Sequence, residues 1–315
     1  MNVTTEWGEL VELPAGDAAE GSRVVAHCFA PEPSAAAELP VPIWMFAVHG
    51  AGENWTYWDK IIPGRESEPY SFARFMATRG VGVIAIDALG RGDSTYTRHG
   101  SELTLEVLAL GHHQASSYAR ELLLQGKLIS GLEPLEDLFY VGIGHSGGSA
   151  ETMVQQGSHA TYDAVTLLGM PSDDFLYPHR GEDALRAVLV EDEKGMVAIP
   201  ERPPASVAGA FAPGTPPDVI AAFPPGRPWP PSHLNNMKNG TLIAYTRKIT
   251  SPVFVGFGEV DLAGSPIQEQ QRFASDDVTA YVQPGLYHHH WSSPRRLELM
   301  TAIYNWAWSR AKYRA

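Results

Sequence analysis

One serine stands between glycines in the segment VGIGHSGGSA (141–150), at the end of an apolar, strand-like run. Ser146 has Gly144 two residues before it and Gly148 two residues after it, which fits the pattern G-x-S-x-G. On a tight turn between a strand and a helix, such a serine exposes its hydroxyl above the sheet, near a helix N-terminus whose amides favour negative charge. We therefore predict that Ser146 is a nucleophile; the alternative is that the small residues only allow a tight turn.

A serine hydroxyl needs a base, and histidine suits this role because its pKa lies near neutral. One group of histidines follows the last predicted strand, in PGLYHHHW (284–291). His288, His289 and His290 are the candidate bases, and their positions alone leave the choice open. Three adjacent histidines do not share a helix face, so the sequence does not favour a zinc site, and we expect no metal.

The base in turn needs an acid that fixes its tautomer and stabilises the imidazolium. Asp261 lies in the loop GEVDLAG (258–264), directly after a predicted strand, and completes the order Ser…Asp…His. Asp173 and Asp174 follow the preceding strand and are the alternatives.

A tetrahedral intermediate requires two hydrogen-bond donors for its oxyanion. The amide of Gly147, directly after the serine, is the first candidate. The second candidate is the amide of Ala51 in the glycine-containing loop HGAGENW (49–55), where we expect His49 to support the loop.

Four further side chains near these motifs are candidate substrate-binding residues: Trp55, Trp58, His145 and Met170. Aromatic residues are also dense between residues 171 and 249. They either form the core of that segment or line an apolar pocket.

The elements that position these residues follow from the alternation of short apolar runs with longer amphipathic runs, which predicts a parallel sheet covered by helices on both faces. The predicted strands are 23–30, 43–49, 81–87, 138–144, 162–169, 251–258 and 278–283. The predicted helices are 71–80, 102–126, 148–157, 265–274 and 294–311. Ligands of such sheets bind at the carboxyl ends of the strands, which is where the candidate residues fall.

This alternation stops between residues 171 and 249, where eleven of the 25 prolines lie from Pro200 to Pro231. Dense proline resists helices and central strands. We therefore predict a core of residues 1–170 and 250–315 with residues 171–249 inserted as a lid; the alternative is a surface excursion without that role.

Several of these motifs together resemble the α/β-hydrolase superfamily, in their order and in their spacing: HGAG (49–52), DALGRGDS (87–94), GHSGG (144–148), GEVD (258–261) and PGLYH (284–288). The resemblance covers residues 23–170 and 250–311. It implies an α/β-hydrolase fold with a mostly parallel, eight-stranded sheet, in which nucleophile, acid and base follow successive strands.

The resemblance also bears on single residues. PGLYH looks like the family's PG-x-x-H ending and favours His288, although the continuing histidines leave His289 and His290 open. In the DALGRGDS loop, Asp87 and Gly90 take structural positions. The serine argues against the branches that carry aspartate at this point, the epoxide hydrolases and haloalkane dehalogenases.

Composition excludes several function classes. The chain of 315 residues is 44% hydrophobic and carries a formal net charge of −13 without a basic run, so nucleic acid and anionic membranes are not expected partners. A single cysteine, Cys28, excludes an intrachain disulfide framework. With no signal-peptide pattern at its start, we expect a soluble, cytoplasmic protein. The last helix packs on the sheet or, as the alternative, forms a homodimer interface.

Together these features predict a serine hydrolase that cleaves a carboxylic ester or lactone of a small, largely apolar molecule through an acyl-enzyme, without a cofactor. The same residues could serve hydrolysis of a thioester, an amide or a carbon–carbon bond, or acyl transfer. A non-catalytic small-molecule receptor on this scaffold is the alternative from another class.

Overall fold

A computed structural model describes most of the chain, namely residues 8–18, 20–176, 189–199, 209–223, 226–236 and 238–314. Parts of the predicted insertion, namely residues 177–188, 200–208, 224–225 and 237, lie outside the described residues.

Eight strands form one sheet in the order β1-β2-β4-β3-β5-β6-β9-β10. Their bounds are Glu9–Pro14 (β1), Arg23–Phe29 (β2), Ile43–Val48 (β3), Val81–Ile86 (β4), Phe139–His145 (β5), Ala164–Leu168 (β6), Val253–Val260 (β9) and Val278–Tyr287 (β10). The pairs β1–β2 and β2–β4 are antiparallel and the other pairs are parallel. Two short strands, β7 (Val190–Glu191) and β8 (Val197–Ala198), pair separately.

The helices lie on both faces of this sheet. Their bounds are Pro33–Ala36 (α1), Phe72–Ala77 (α2), Leu105–Leu124 (α3), Gly147–His159 (α4), Pro217–Ala221 (α5), His233–Asn236 (α6), Ile243–Thr246 (α7) and Arg296–Lys312 (α8). Helices α3 and α4 cover one face, whereas α2 and α8 cover the other.

Alternate side chains of the central strands fill two cores. In β3, Phe46 and Val48 pack with α3 and α4, whereas Met45 and Ala47 pack with α2 and α8. All six β3 residues are therefore buried, which explains the continuous apolar run from which this strand was predicted. The fold is the predicted α/β-hydrolase fold, with a mostly parallel eight-stranded sheet between helices.

One predicted helix has a different form. Residues 265–274 contain a 3-10 helix, Pro266–Arg272, rather than an α-helix. Its Glu269 is buried, and a carboxylate oxygen accepts hydrogen bonds from the amide and the hydroxyl of Ser172 at 3.0 and 2.7 Å. This contact between distant parts of the chain outweighs the helical preference of the local sequence.

Within the part of the chain that the structure describes, no helix combines the length and the apolar character needed to cross a membrane.

Candidate active site

Ser146 lies on the sharp turn between β5 and α4 and has a strained backbone with φ 52° and ψ −123°. The turn brings the backbone of Gly148 so close to Gly144 and to the carbonyl oxygen of Val48 that a Cβ on either glycine would overlap with main-chain atoms. Because backbone atoms cannot swing away as a side chain can, both glycines are required for this approach. The predicted strand–turn–helix setting of Ser146 is present.

His288 is the histidine that the structure places next to this serine. Its Nε2 lies 3.0 Å from Ser146 Oγ, and its Nδ1 lies 2.6 Å from Asp261 Oδ1. A nitrogen this close to a carboxylate must carry the proton, so Nδ1–H donates to Asp261 and the lone pair of Nε2 faces the serine. The three side chains thus form a continuous hydrogen-bonded chain across the carboxyl ends of β5, β9 and β10.

Asp261 is buried, and burial raises its pKa, but His288 and His290 outweigh this effect and hold the pKa well below its ordinary value. His290 Nε2 lies 2.9 Å from the second carboxylate oxygen, Oδ2. Asp261 is therefore an ionised acceptor. Of the alternative acids, Asp174 has its carboxylate beside Gly264, and the main-chain carbonyl of Asp173 accepts a hydrogen bond from Arg272.

The remaining predicted base, His289, packs against the segment between β6 and β9. Its ring stacks on Phe211 at a centroid distance of 4.5 Å, and its amide donates to the Ala210 carbonyl. The structure thus gives the three adjacent histidines three different partners: Ser146 for His288, Phe211 for His289 and the second Asp261 oxygen for His290.

The two predicted oxyanion donors lie together. Gly147 is the first residue of α4, and a Cβ on it would lie 3.2 Å from the Ala51 amide nitrogen. His49 supports this loop as expected from the sequence: its Nδ1 lies 2.8 Å from the Gly50 carbonyl, and the Ala88 amide donates to its Nε2 at 3.1 Å. Burial and nearby Arg91 keep the pKa of His49 well below its ordinary value.

The predicted substrate-binding residues have other contacts in the structure. Trp58 is fully buried and packs on Tyr57, Phe72 and Trp291, while Trp55 stacks on His27 at 3.6 Å. Contact of either tryptophan with a substrate stays a prediction.

His145 and Met170, the other two residues of this group, are also buried. His145 stacks on Tyr57, and its Nε2 lies 2.8 Å from the His288 carbonyl, so it supports the loop that carries the candidate base. Met170 packs in the core beside α3 and α4.

Sequence reasoning missed a buried polar cluster below the serine turn. Glu151 of α4 is fully buried and pairs with Arg91, with His112 Nδ1 at 3.3 Å and with His233 Nε2 at 2.7 Å. Burial raises the pKa of Glu151, but Arg91 and the two histidines lower this pKa by more than burial raises it. The carboxylate is therefore ionised. The sequence feature that could have indicated this cluster is Glu151 itself, a lone acid in the middle of an otherwise uncharged helix, GGSAETMVQQGSH (147–159).

The segment between β6 and β9, here called the connecting segment, reaches the same edge of the sheet. The Arg227 amide donates to the Gly52 carbonyl at 3.3 Å, and the Trp229 ring lies against Gly52. Phe223 is fully buried and contacts Tyr57 edge-on at 6.2 Å. Part of the predicted insertion therefore packs over the loops that carry the candidate site.

Among the described residues, no group of three or more histidine, cysteine or acidic side chains is arranged to hold a metal ion.

Comparison with known proteins places this geometry in a family. The model of the alpha/beta hydrolase family matches residues 45–298. A search of curated proteins found no match. Among solved structures, a soluble variant of monoglyceride lipase from Saccharomyces cerevisiae superposes with a TM-score of 0.65 at 12% identity, covering 97% of this chain and 96% of that chain.

Two further solved structures have the same fold. A thermophilic esterase from Thermogutta terrifontis gives a TM-score of 0.60 at 14% identity, with 94% of this chain and 97% of that chain covered. Proline iminopeptidase from Mycobacterium smegmatis gives 0.59 at 17% identity, with 96% and 98% covered. With a family model that spans the serine turn, Asp261 and His288, the chain belongs to the alpha/beta hydrolase family.

Proposed function

We propose that this hydrolase cleaves a carboxylic ester or lactone of a small, largely apolar molecule through an acyl-serine intermediate. The observation that carries the proposal is the chain of hydrogen bonds from Ser146 through His288 to Asp261, at 3.0 and 2.6 Å. This is the arrangement in which a base removes a serine proton while an ionised acid stabilises the resulting imidazolium.

The reaction then takes two steps. His288 Nε2 accepts the Ser146 proton as Oγ attacks the carbonyl carbon, and the amides of Gly147 and Ala51 stabilise the oxyanion. His288 returns the proton to the departing alkoxide, which leaves an acyl-serine. Water, deprotonated by the same histidine, hydrolyses that ester and releases the acid.

The substrate class is inferred from the surroundings of the serine. Phe211, Phe223 and Trp229 of the connecting segment are buried over the active-site loops, and we propose that this segment is the lid of the site. The net charge of −13 disfavours polyanionic substrates. The solved structures of similar fold include an esterase and a monoglyceride lipase, which supports an ester as the substrate.

Labelling with a fluorophosphonate probe, followed by peptide mapping, tests the nucleophile, and p-nitrophenyl acetate and butyrate test the hydrolysis. We expect the wild-type protein to be labelled at Ser146 and to turn over both esters. Ser146→Ala should lose labelling and at least about a thousandfold in kcat, because the nucleophile cannot be replaced.

Ser158→Ala is the matched control, since Ser158 is an exposed serine on the same helix. It should retain full labelling and turnover. Equal, low turnover by wild type and Ser146→Ala would instead indicate a non-catalytic receptor. Labelling of Ser146 without ester or lactone hydrolysis would contradict the ester assignment and favour a thioester, an amide, a carbon–carbon bond or another acyl acceptor.

A further inference from the structure

His233, in the connecting segment, lies at the candidate site although it belongs to neither the serine turn nor the base loop. It is 2% exposed and forms the start of the short helix α6. Its Nε2 lies 2.7 Å from Glu151 Oε1, which ties this part of the segment to the helix that follows Ser146.

The short but poorly aligned contact with Glu151 favours one tautomer of the ring. Glu151 is ionised beside Arg91, so the nitrogen that faces it must carry a hydrogen. Burial lowers the pKa of His233 despite the nearby carboxylate, which favours the neutral ring. A neutral imidazole with hydrogen on Nε2 has a lone pair on Nδ1, and Nδ1 is then a hydrogen-bond acceptor.

This acceptor has no hydrogen-bond partner in the described part of the chain, although it is buried. It borders the two candidate oxyanion donors: a Cβ on Gly147 would lie 2.9 Å from His233 Nδ1 and 3.2 Å from the Ala51 amide nitrogen. Buried polar atoms are nearly always satisfied, so an unpaired acceptor at this place indicates a hydrogen-bond donor on the ligand.

We propose that His233 is a specificity-determining residue whose Nδ1 accepts a hydrogen bond from a hydroxyl on the carbon next to the substrate carbonyl. The proposal places the carbonyl oxygen between the Gly147 and Ala51 amides and the adjacent carbon of the acyl group on the side where Nδ1 borders Gly147. The site would then select α-hydroxy acyl compounds. This inference rests on the proposed function for the position of the carbonyl.

Two esters that differ only in this group test the selectivity: benzyl glycolate and its isostere benzyl propionate, in which a methyl group replaces the hydroxyl. The measurement is the ratio of their kcat/KM values in wild type and variants, so the intrinsic reactivities cancel. His233→Gln keeps a donor toward Glu151 and removes the acceptor, and it should reduce the preference for glycolate by about 10- to 100-fold. His233→Asn places an amide oxygen near the former Nδ1 and should retain much of the preference.

His159→Gln is the matched control, because His159 lies at the far end of α4, and its ratio should equal that of wild type. A His233→Gln variant that slows both esters equally would show a merely structural role and overturn the proposal.

Binding to Ser146→Ala separates this inference from the proposed function, since it requires no turnover. The ligands are 1-hydroxy-4-phenylbutan-2-one and 1-phenylpentan-3-one, ketones that match the two esters, and calorimetry gives their Kd values. We expect the hydroxyketone to bind about tenfold more tightly, and the difference to vanish in Ser146→Ala/His233→Gln. Equal affinities in Ser146→Ala would overturn the inference. The expected difference without any ester hydrolysis by wild type would overturn the proposed function alone.

Discussion

Asp261 accepts hydrogen bonds from four donors, which is the number that its two oxygens can accommodate. His288 Nδ1 and the Leu262 amide donate to Oδ1, and His290 Nε2 and the Gly258 amide donate to Oδ2. The carboxylate therefore cannot rotate without losing bonds. Its fixed orientation in turn holds the lone pair of the His288 ring toward the serine.

His290→Phe tests whether this support matters for turnover. The substitution removes one charge-assisted hydrogen bond from Asp261 and leaves three, so we expect kcat to fall about tenfold while KM stays unchanged. His290→Gln retains a side-chain donor and should recover most of the lost kcat. Steady-state kinetics on p-nitrophenyl butyrate measure both effects.

His159→Gln serves again as the control for replacing a histidine, and its kcat should equal that of wild type. A His290→Phe variant with unchanged kcat, or one whose loss is not recovered by His290→Gln, would show that Asp261 is held adequately by its other donors.

The choice among the three histidines shows the limit of the sequence at this scale. The three histidines lie beyond β10 in a tight turn, in which the His290 amide donates to the His288 carbonyl at 3.0 Å and His290 begins a 3-10 helix. His288 and His290 accordingly both reach Asp261, while His289 faces Phe211. The sequence does not show this turn, because its position depends on where β10 ends, at Tyr287. Only the family resemblance favoured His288.

The serine turn is an element whose shape depends on close backbone packing between β3, β5 and α4. Gly148→Ala would place a Cβ against the Val48 carbonyl oxygen. Gly148 does not have a positive φ, so the cost of the substitution comes from this steric overlap and not from backbone conformation. We expect it to lower the free energy of unfolding by about 3 kcal/mol or more and to abolish fluorophosphonate labelling of Ser146. Urea denaturation and labelling measure the two effects.

Gly131→Ala separates crowding from backbone conformation. Gly131 has φ 74° and no atom within 4 Å of an added Cβ. Its replacement should cost only about 1–2 kcal/mol, the penalty of a left-handed conformation, and leave labelling intact. Similar losses of stability in both variants would contradict the packing argument.

The regular elements were largely predictable because their signals are local. Continuous apolar runs predicted the buried strands β3, β4 and β5 nearly to the residue. Strand β1, Glu9–Pro14, was not predicted, since it is an antiparallel edge strand in which Glu9 is buried while Glu12 and Pro14 are exposed, so it has no continuous apolar run. The 3-10 form of Pro266–Arg272 depends on a distant partner, Ser172, which no local pattern reveals.

The insertion at 171–249 was predicted from its proline content and stays a prediction, and the sequence did not indicate the contacts of this segment. Arg227, Trp229 and His233 reach Gly52 and Glu151 from a segment without periodicity, so nothing in the sequence pairs them. The buried cluster around Glu151 was missed for the same reason. Its members come from four separate parts of the chain, and apart from Glu151 none of them stands out from its local sequence.

At the scale of the whole molecule, the fold tolerates almost complete replacement of the sequence. The monoglyceride lipase from Saccharomyces cerevisiae shares 12% of residues over 97% of this chain. A doubly covered sheet requires apolar residues of fitting volume at its positions rather than particular ones. The motifs at the carboxyl ends of the strands are more restrictive, because backbone approach and hydrogen-bond geometry determine them. Motifs therefore revealed the family where overall similarity is low.

The whole molecule also carries a pH dependence in its buried histidines. Among the described residues, eight histidines have a lowered pKa, chiefly because of burial: His27, His49, His112, His113, His145, His159, His233 and His290. The folded protein keeps them neutral, while the unfolded chain binds protons as the pH falls through about 6.5. The free energy of unfolding should therefore have its full value above that pH and decrease below it. Asp87 and Glu269 have raised pKa values, so at lower pH they oppose the loss of stability that the histidines cause. These two acids are outnumbered by the eight histidines.

Urea denaturation between pH 7.5 and 6 measures this effect while staying above the sequence pI of about 5.3, near which the protein would lose solubility. His112 is fully buried with a pKa of about 4, so it alone should contribute a loss of roughly 1 kcal/mol over this interval. The other seven histidines should add to this loss in the same direction, with His113 and His159 contributing least because they are only partly buried. His112→Gln should give a shallower slope than wild type, and comparing slopes removes any constant loss of stability that the substitution causes. A free energy of unfolding that does not change with pH over this interval would mean that the buried histidines are already charged in the folded protein, or that they remain shielded after unfolding.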